Sequence, residues 1–218
     1  MVIVFGGAPP RSGPNCEVLG GTCIEYPYTD AAEHVPEDFF WMVPAFLLGP
    51  LFVVVAAYLL RDRVGTGAGS VVARLGVTFA AMAATVLMVD YYIQFTTVQA
   101  SLVRGEVEGG LSLLSQYNPH GIFIALEDLG YPTMLASFVL VGLALNPGSG
   151  LERGLRRVLI LSGTLGVMAF VLLVGLLGRH LEYWYELVGL SLSWTVLAAT
   201  GVLASLLLRR EAGSARSI

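Results

Sequence analysis

The fold is decided by residues 75–102, which read LGVTFAAMAATVLMVDYYIQFTTVQASL and carry one charged side chain, Asp90. A helix needs ~20 mostly apolar residues to cross the hydrocarbon core of a bilayer. This stretch is longer than that. Four further stretches meet the same requirement, at 39–60, 121–145, 158–177 and 183–208. We therefore predict an all-α, polytopic membrane protein, built as a bundle of five transmembrane helices.

The overall composition leads to the same class of protein. Hydrophobic residues make up 56% of the chain and charged residues only 13%, with a mean hydropathy of +0.74. Soluble domains carry about 25% charged residues. The net charge is −4, and the basic residues stand at helix ends instead of forming a stripe, so no nucleic-acid partner is indicated. The lipid bilayer is the expected partner, and a multi-pass protein of the cell membrane is the expected location.

The distribution of arginine predicts the orientation, because short loops rich in positive charge stay cytoplasmic. Arginines concentrate in every second gap between the apolar stretches and in the tail that follows the last one. This pattern places the N-terminus outside and the C-terminus inside. It divides the chain into an outer tail at 1–37, a transmembrane domain at 38–210 and a cytoplasmic tail at 211–218. The arginines in the regions predicted to be cytoplasmic are Arg61, Arg63, Arg74, Arg153, Arg156, Arg157, Arg209, Arg210 and Arg216.

The aromatic residues and the linkers support this arrangement. Glycine-rich linkers at 65–70 and 146–154 are typical of flexible turns. The linker at 106–118 mixes charge with leucine, so we expect a short amphipathic or re-entrant piece there. Aromatic side chains at the outer ends of the helices are typical of an interfacial belt. They are Phe39, Phe40, Trp41, Tyr91, Tyr92, Phe95, Tyr183, Trp184 and Tyr185.

The outer tail holds the two cysteines of the chain, Cys16 and Cys23. Outside the membrane they meet an oxidising compartment, so we predict a disulfide between them. A redox-active pair is less consistent with the sequence because the spacing is not C-x-x-C. A metal site is less consistent still, since His34 alone is near and one histidine with two cysteines does not complete a structural zinc site.

Charged and polar residues inside the predicted spans mark a candidate site, because burying such groups in a membrane is costly. In the second span, Gln94, Thr97 and Ser101 follow Asp90 at i+4, i+7 and i+11, so the four side chains are expected on one helix face. That face should point at protein or water and not at lipid. Asp90 itself lies about 24 Å along the helix from Arg74, below the outer surface and away from the bilayer centre.

The third span carries a second polar face, and its depth matches that of Asp90. His120, Glu127 and Tyr131 are spaced i, i+7 and i+11, with Asp128 on the adjoining face. Glu127 lies about 10 Å inward from His120, close to the depth of Asp90. Glu186, near the start of the fifth span, could face the same cluster. The complete set of candidate ligand-binding residues is Asp90, Gln94, Thr97, His120, Glu127, Asp128, Tyr131 and Glu186.

Three functions remain open at this level. The favoured one is an outward-facing acidic pocket that binds or transports a small molecule, cation or amphiphile, with a homodimer or larger membrane complex completing a path. The second is a membrane-embedded enzyme acting on a lipid or isoprenoid-like substrate, with Asp90, Glu127 and His120 as acid, base and electrostatic stabiliser. The third is an accessory or assembly subunit, in which these groups only hold helices together. No nucleotide-binding, metalloprotease or haem-attachment motif is found, so a cofactor is not identified.

Overall fold

A computed structural model describes residues 23–61, 64, 67–107, 110–181 and 183–215. Within these ranges the chain is helical, and the one pairing of extended backbone is an isolated antiparallel bridge between Val64 and Leu145. The prediction of an all-α protein is confirmed. Five long helices follow one another: α1 Val35–Arg61, α2 Ala68–Arg104, α3 Ile122–Ala144, α4 Gly150–Leu177 and α5 Tyr183–Ala215.

Four of these helices are long and apolar enough to cross a membrane, which supports a multi-pass membrane protein. In α1 the apolar helical stretch among the described residues is shorter than in the other four helices and covers Phe46–Arg61. The spans in the other helices are Ala68–Arg104, Ile122–Ala144, Gly150–Leu177 and Trp184–Arg210.

Helix α3 occupies the centre of the bundle and packs against α2, α4 and α5. Its residues Leu135, Phe138 and Val141 are fully buried. Glycines on the neighbouring helices allow this close packing. A Cβ added at Gly163 of α4 would lie 2.5 Å from the carbonyl oxygen of Leu135, and one added at Gly76 of α2 would lie 3.0 Å from the backbone nitrogen of Val141. Small residues of this kind let membrane helices approach backbone to backbone.

One end of the bundle, where α2 ends and α3 begins, carries a cap outside the five helices. We call it the cap end. The cap contains the 3₁₀ helix Thr29–His34 and the one-turn helix Leu111–Leu114. The linker predicted to be amphipathic forms part of this cap. Leu111 and Leu114 pack against the other cap residues, whereas Leu113 is exposed. The side of the linker that carries Leu111 and Leu114 therefore covers protein. The buried residues of the cap cluster are Ile24, Ala31, Val98, Leu102, Leu111 and Tyr117.

The linker between α3 and α4 is shorter than predicted, because α4 begins at Gly150. Its start is fixed by a capping box, in which the backbone nitrogen of Glu152 donates to the Ser149 hydroxyl oxygen at 3.2 Å. The Glu152 carboxylate accepts from the backbone nitrogen of Ser149 at 2.8 Å. The S-x-x-E pattern at residues 149–152 is a recognised start signal and outweighs the glycines around it. The predicted flexible turn at 146–154 is therefore wrong beyond residue 149.

The outer tail is described only from Cys23 onward. Cys16 lies outside the described residues, and the Cys16–Cys23 disulfide stays a prediction.

Candidate functional site

Two tyrosines and a glutamate form a hydrogen-bonded chain between α2 and α3. The Tyr91 hydroxyl donates to Oε1 of Glu127 at 2.6 Å, and the hydroxyl oxygens of Tyr91 and Tyr131 are also 2.6 Å apart. A phenol has one proton to donate. With Tyr91 donating to Glu127, its oxygen therefore accepts from Tyr131. All three side chains are almost completely buried. The Tyr131–Tyr91–Glu127 chain can consequently pass a proton between three neighbouring oxygens.

Two glycines on either side of Tyr131 bring the helices of the site together. A Cβ added at Gly130 would lie 2.6 Å from Cδ2 of Leu87 on α2, and one added at Gly189 would lie 3.1 Å from Cβ of Tyr131. Glycine at both positions thus lets α2 and α5 approach α3 closely at the level of Tyr131. A larger residue at either position would force the helices apart and separate the hydroxyls from the carboxyl group.

Three further carboxyl groups surround this chain. Asp90 on α2 is 2% exposed and is an electrostatic neighbour of Glu127. Glu186 on α5 is partly buried and interacts electrostatically with Glu127, Asp128 and Asp90. We call Asp90, Glu127, Asp128 and Glu186 the acidic cluster. The structure places Asp90 and Glu127 close enough to interact electrostatically, and their common depth in the membrane stays a prediction.

The helical stretches that hold the acidic cluster contain no basic residue. The sequence contains no lysine, and no arginine or histidine occurs in 75–103, 121–152, 158–178 or 181–208. Arg104, His120 and His180 stand beyond these ranges and are exposed, while the Arg179 side chain is outside the description. An ionised carboxylate buried without a counter-charge is strongly disfavoured. The sequence of these stretches thus supplies no cation to pair with the cluster.

Unpaired polar atoms are concentrated around the same cluster. Native proteins leave only a few buried polar groups unsatisfied, so several in one place call for an explanation. The buried side-chain atoms of this region without a hydrogen-bond partner in the described part of the chain are Asp90 Oδ2, Gln94 Oε1, Glu127 Oε2, Asp128 Oδ1 and Tyr185 OH.

A π turn at Gln94–Val98 follows Asp90 directly and changes which residues of α2 face the protein. The Gln99 backbone nitrogen donates to the Gln94 carbonyl oxygen five residues earlier. This pattern inserts one residue relative to an α-helix. As a result Thr97 is exposed and Gln99 is buried. The expectation of one polar face holds for Asp90 and Gln94 and fails for Thr97.

Gln94 connects the site to the cap. Its Nε2 donates to the Leu114 carbonyl oxygen at 2.6 Å, so the one-turn helix Leu111–Leu114 is tied to α2 just beyond the acidic cluster. His120 is not part of this arrangement. It is exposed, and its backbone nitrogen donates to Oδ1 of Asn118 at 3.0 Å. The structure therefore brings together Asp90, Glu127, Asp128, Tyr131 and Glu186, keeps Gln94 one turn away, and leaves Thr97 and His120 apart.

Tyr91 and Tyr185 are the residues of the site that the sequence interpretation missed, because it assigned them to an interfacial belt. Their neighbours Tyr92 and Trp184 are 57% and 41% exposed, which fits a belt, whereas Tyr91 and Tyr185 are buried. Tyr185 is an electrostatic neighbour of Asp128. A signal was present for Tyr91. The small-residue face of α2 continues with helical spacing into Tyr91, through Gly76, Ala80, Ala84, Leu87 and Tyr91.

A narrow cleft of about 20 Å³ adjoins the two tyrosines of the chain. Tyr91, Tyr131 and Ser193 line it, together with Leu48 and Gly49 of α1, whereas no carboxyl group of the acidic cluster does. A cavity of this size has room for about one water molecule. In the described ranges, no three His, Cys, Asp or Glu side chains are grouped so as to hold a metal ion.

Fold and site together define a helical, multi-pass membrane protein with a buried cluster of carboxyl groups and tyrosines. No protein-family model, curated protein or solved structure matches the chain.

Proposed function

We propose that the protein is a five-span membrane protein that binds and exchanges protons at the acidic cluster, close to the outer surface of the cell membrane. The observation that carries this proposal is the burial of Asp90 and Glu127 in helical stretches, 75–103 and 121–144, that contain no lysine, arginine or histidine. Ionisable groups inside a membrane commonly mark proton or ion pathways.

The size of the cleft supports a proton over a larger ligand. Pockets for small molecules usually enclose about 300–1,000 Å³. The cleft beside Tyr91 and Tyr131 measures about 20 Å³, so a small molecule or amphiphile would require the helices to separate. A proton requires no such space. The Tyr131–Tyr91–Glu127 chain supplies oxygens that can accept and release it.

The orientation in this proposal has α1 as a fifth span, with the N-terminus outside and the C-terminus inside. Helix α1 contains 27 residues, which is enough to cross a bilayer. Arginine is enriched in the loops at the end opposite the cap. By the charge rule for short loops, that end is cytoplasmic and the cap end faces outward.

The proposed outer location also favours the Cys16–Cys23 disulfide. Mass analysis of peptides prepared without reductant is expected to find the two cysteine peptides joined and two hydrogens lighter than the free thiols. Two free thiols in protein isolated from its own membrane would remove this part of the proposal.

Infrared difference spectroscopy of the reconstituted protein tests proton exchange directly. We expect a protonated-carboxyl band whose intensity changes with pH, and we expect Glu127→Gln to remove or shift it because an amide cannot exchange the acid proton. Glu106→Gln is the matched control, since Glu106 is an exposed glutamate outside the cluster and the helices.

A spectrum without any pH-dependent buried carboxyl would contradict the proposal. So would a band that survives replacement of all four carboxyl groups of the acidic cluster by the corresponding amides. Either result would leave the cluster as interhelical hydrogen bonding, the role expected of an accessory subunit.

A further inference from the structure

Two buried hydroxyl groups on α5 differ from other hydroxyls of the bundle. Serine and threonine in a helix commonly donate to the carbonyl oxygen four residues earlier. Ser193 and Thr200 are 1% and 2% exposed, yet their side-chain oxygens have no hydrogen-bond partner in the part of the chain that the structure describes. Their oxygens are therefore placed for another partner. The residues that do bond to the carbonyl four residues earlier are Thr85, Thr96, Thr133, Ser162, Thr195 and Ser205.

These two hydroxyls continue a polar row that begins in the acidic cluster. Glu186, Ser193 and Thr200 are separated by seven residues each, which places them on one face of α5 at intervals of about 10 Å. That face packs toward α3, as the contact between Gly189 and Tyr131 demonstrates. The row thus runs from the cap end through the middle of the bundle toward the opposite end.

The cleft joins this row to the hydrogen-bonded chain. Ser193, Tyr91 and Tyr131 all line it, and its volume of about 20 Å³ accommodates one water molecule. A buried water is stable only where it has two to four polar partners. The cleft is lined by three residues that carry hydroxyl groups, Tyr91, Tyr131 and Ser193, which are the partners available to such a water. A water placed there also satisfies the Ser193 oxygen that the described residues leave unpaired.

We propose that the cleft holds a water molecule bonded to Ser193, and that this water extends the Tyr131–Tyr91–Glu127 chain into a proton path along α5 toward Thr200 and the cytoplasmic end. The path rests on the proposed proton exchange at the acidic cluster and adds translocation to it.

Transfer along this path needs no oxidant or further reactant. The hydroxyl groups of Tyr91 and Tyr131 first rotate so that each donates away from Glu127. The O–H bond of the protonated Glu127 carboxyl group then breaks as a new O–H bond forms on the Tyr91 oxygen. Tyr91 passes its own proton to Tyr131, and Tyr131 passes its proton to the water. Each phenol oxygen gains one proton and releases another, so both phenols return to their neutral form and the water carries the excess proton onward. Glu127 is left as a carboxylate and is neutral again once it takes up a proton from another carboxyl group of the acidic cluster.

Proton flux into vesicles tests the path. The full-length protein is reconstituted into liposomes with an entrapped pH-sensitive dye, a pH gradient is imposed, and the membrane potential is held at zero with potassium and valinomycin. We expect Ser193→Ala to slow proton entry about tenfold, the rate change that corresponds to one lost hydrogen bond. Thr200→Val is expected to slow it as well.

Thr195→Val is the matched control, because Thr195 is exposed on the same helix and its hydroxyl donates to the Ser191 carbonyl oxygen. It should conduct like the original protein. If Ser193→Ala fails to reconstitute, Ser193→Cys replaces it, since it keeps the side-chain volume and loses the hydroxyl oxygen.

The infrared band of the acidic cluster separates the two proposals. A pH-dependent carboxyl band together with unchanged flux in Ser193→Ala would overturn the path and leave proton exchange in place. The same band in a protein that conducts no protons would also overturn the path. Absence of any pH-dependent carboxyl band would remove both proposals.

Discussion

The two halves of α3 show how differently one membrane helix can be packed. Toward Ala144, Leu135, Phe138 and Val141 are buried, and glycines on α2 and α4 lie against their backbone. Toward Ile122, Glu127 and Tyr131 are buried just as completely. There the neighbouring helices supply hydroxyl and carboxyl groups, several of them without a partner in the described ranges. Packing is complete in the first half, whereas hydrogen bonding is incomplete in the second. The first half holds the bundle together, and the second carries the groups on which the proposed proton exchange depends.

The largest effect is expected from filling a glycine in the apolar half. Gly163→Leu should destabilise the protein by about 3 kcal/mol, the upper end of the range for overpacking, because the added Cβ meets the Leu135 carbonyl oxygen at 2.5 Å. Unfolding in mixed micelles with increasing dodecyl sulfate measures this. Gly175→Leu is the control on the same helix, since no atom lies within 4 Å of an added Cβ there. Equal losses in both variants would show that α4 does not depend on this close approach.

A smaller loss is expected in the polar half. Glu127→Leu removes the acceptor of the Tyr91 hydroxyl and should destabilise the fold by about 0.6–2 kcal/mol, the range for interhelical hydrogen bonds in membranes. Glu127→Gln keeps an acceptor and should cost less in the same unfolding assay while losing proton exchange. If Glu127→Gln still exchanged protons, the proposed difference between the apolar half of α3, which packs, and the polar half, which exchanges protons, would be wrong.

The cap should respond locally to loss of its tie to α2. Gln94→Met removes the hydrogen bond to the Leu114 carbonyl oxygen, at a cost of about 1 kcal/mol. Hydrogen exchange followed by mass spectrometry should become faster at residues 111–114 and stay unchanged in α3. Thr97→Val is the control, because Thr97 is exposed. Uniformly faster exchange throughout the protein would mean that Gln94 stabilises the whole bundle and not the cap alone.

No change in stability is expected from single cysteines placed in the loops, which test the proposed orientation. Cysteines at Gly67 and Gly148 should react with a membrane-impermeant thiol reagent only after the membrane is opened, since both loops lie at the arginine-rich end. A cysteine at Val107 should react in intact cells. All three are introduced in a background without Cys16 and Cys23. The opposite labelling pattern would place the acidic cluster near the cytoplasm.

The sequence predicts where each helix lies along the chain more completely than how each helix is rotated about its own axis. Long apolar runs are visible in the chain because spanning length is a property of consecutive residues, and α2 to α5 appear where they were expected. Asp90 and Glu127 could be singled out because buried carboxyl groups are costly. Tyr91 could not be told from Tyr92 by type alone, since an interfacial tyrosine and a buried one look alike until the helix rotation is known. Thr97 was misplaced for a related reason, because periodicity does not reveal a π turn.

The π turn also constrains the length of α2. It accommodates one residue more than an α-helix would need between Asp90 and the cap. Deleting any single residue from Gln94–Val98 would let ordinary α-helical bonding resume, with little cost to the helix itself. The side chains beyond the deletion would keep their orientation about the axis relative to Asp90, because the π turn had already absorbed the extra residue. Leu102 would stay on the face that packs into the cap cluster. A one-residue deletion is therefore expected to be tolerated better here than elsewhere in α2, where it would rotate every following side chain by about 100°.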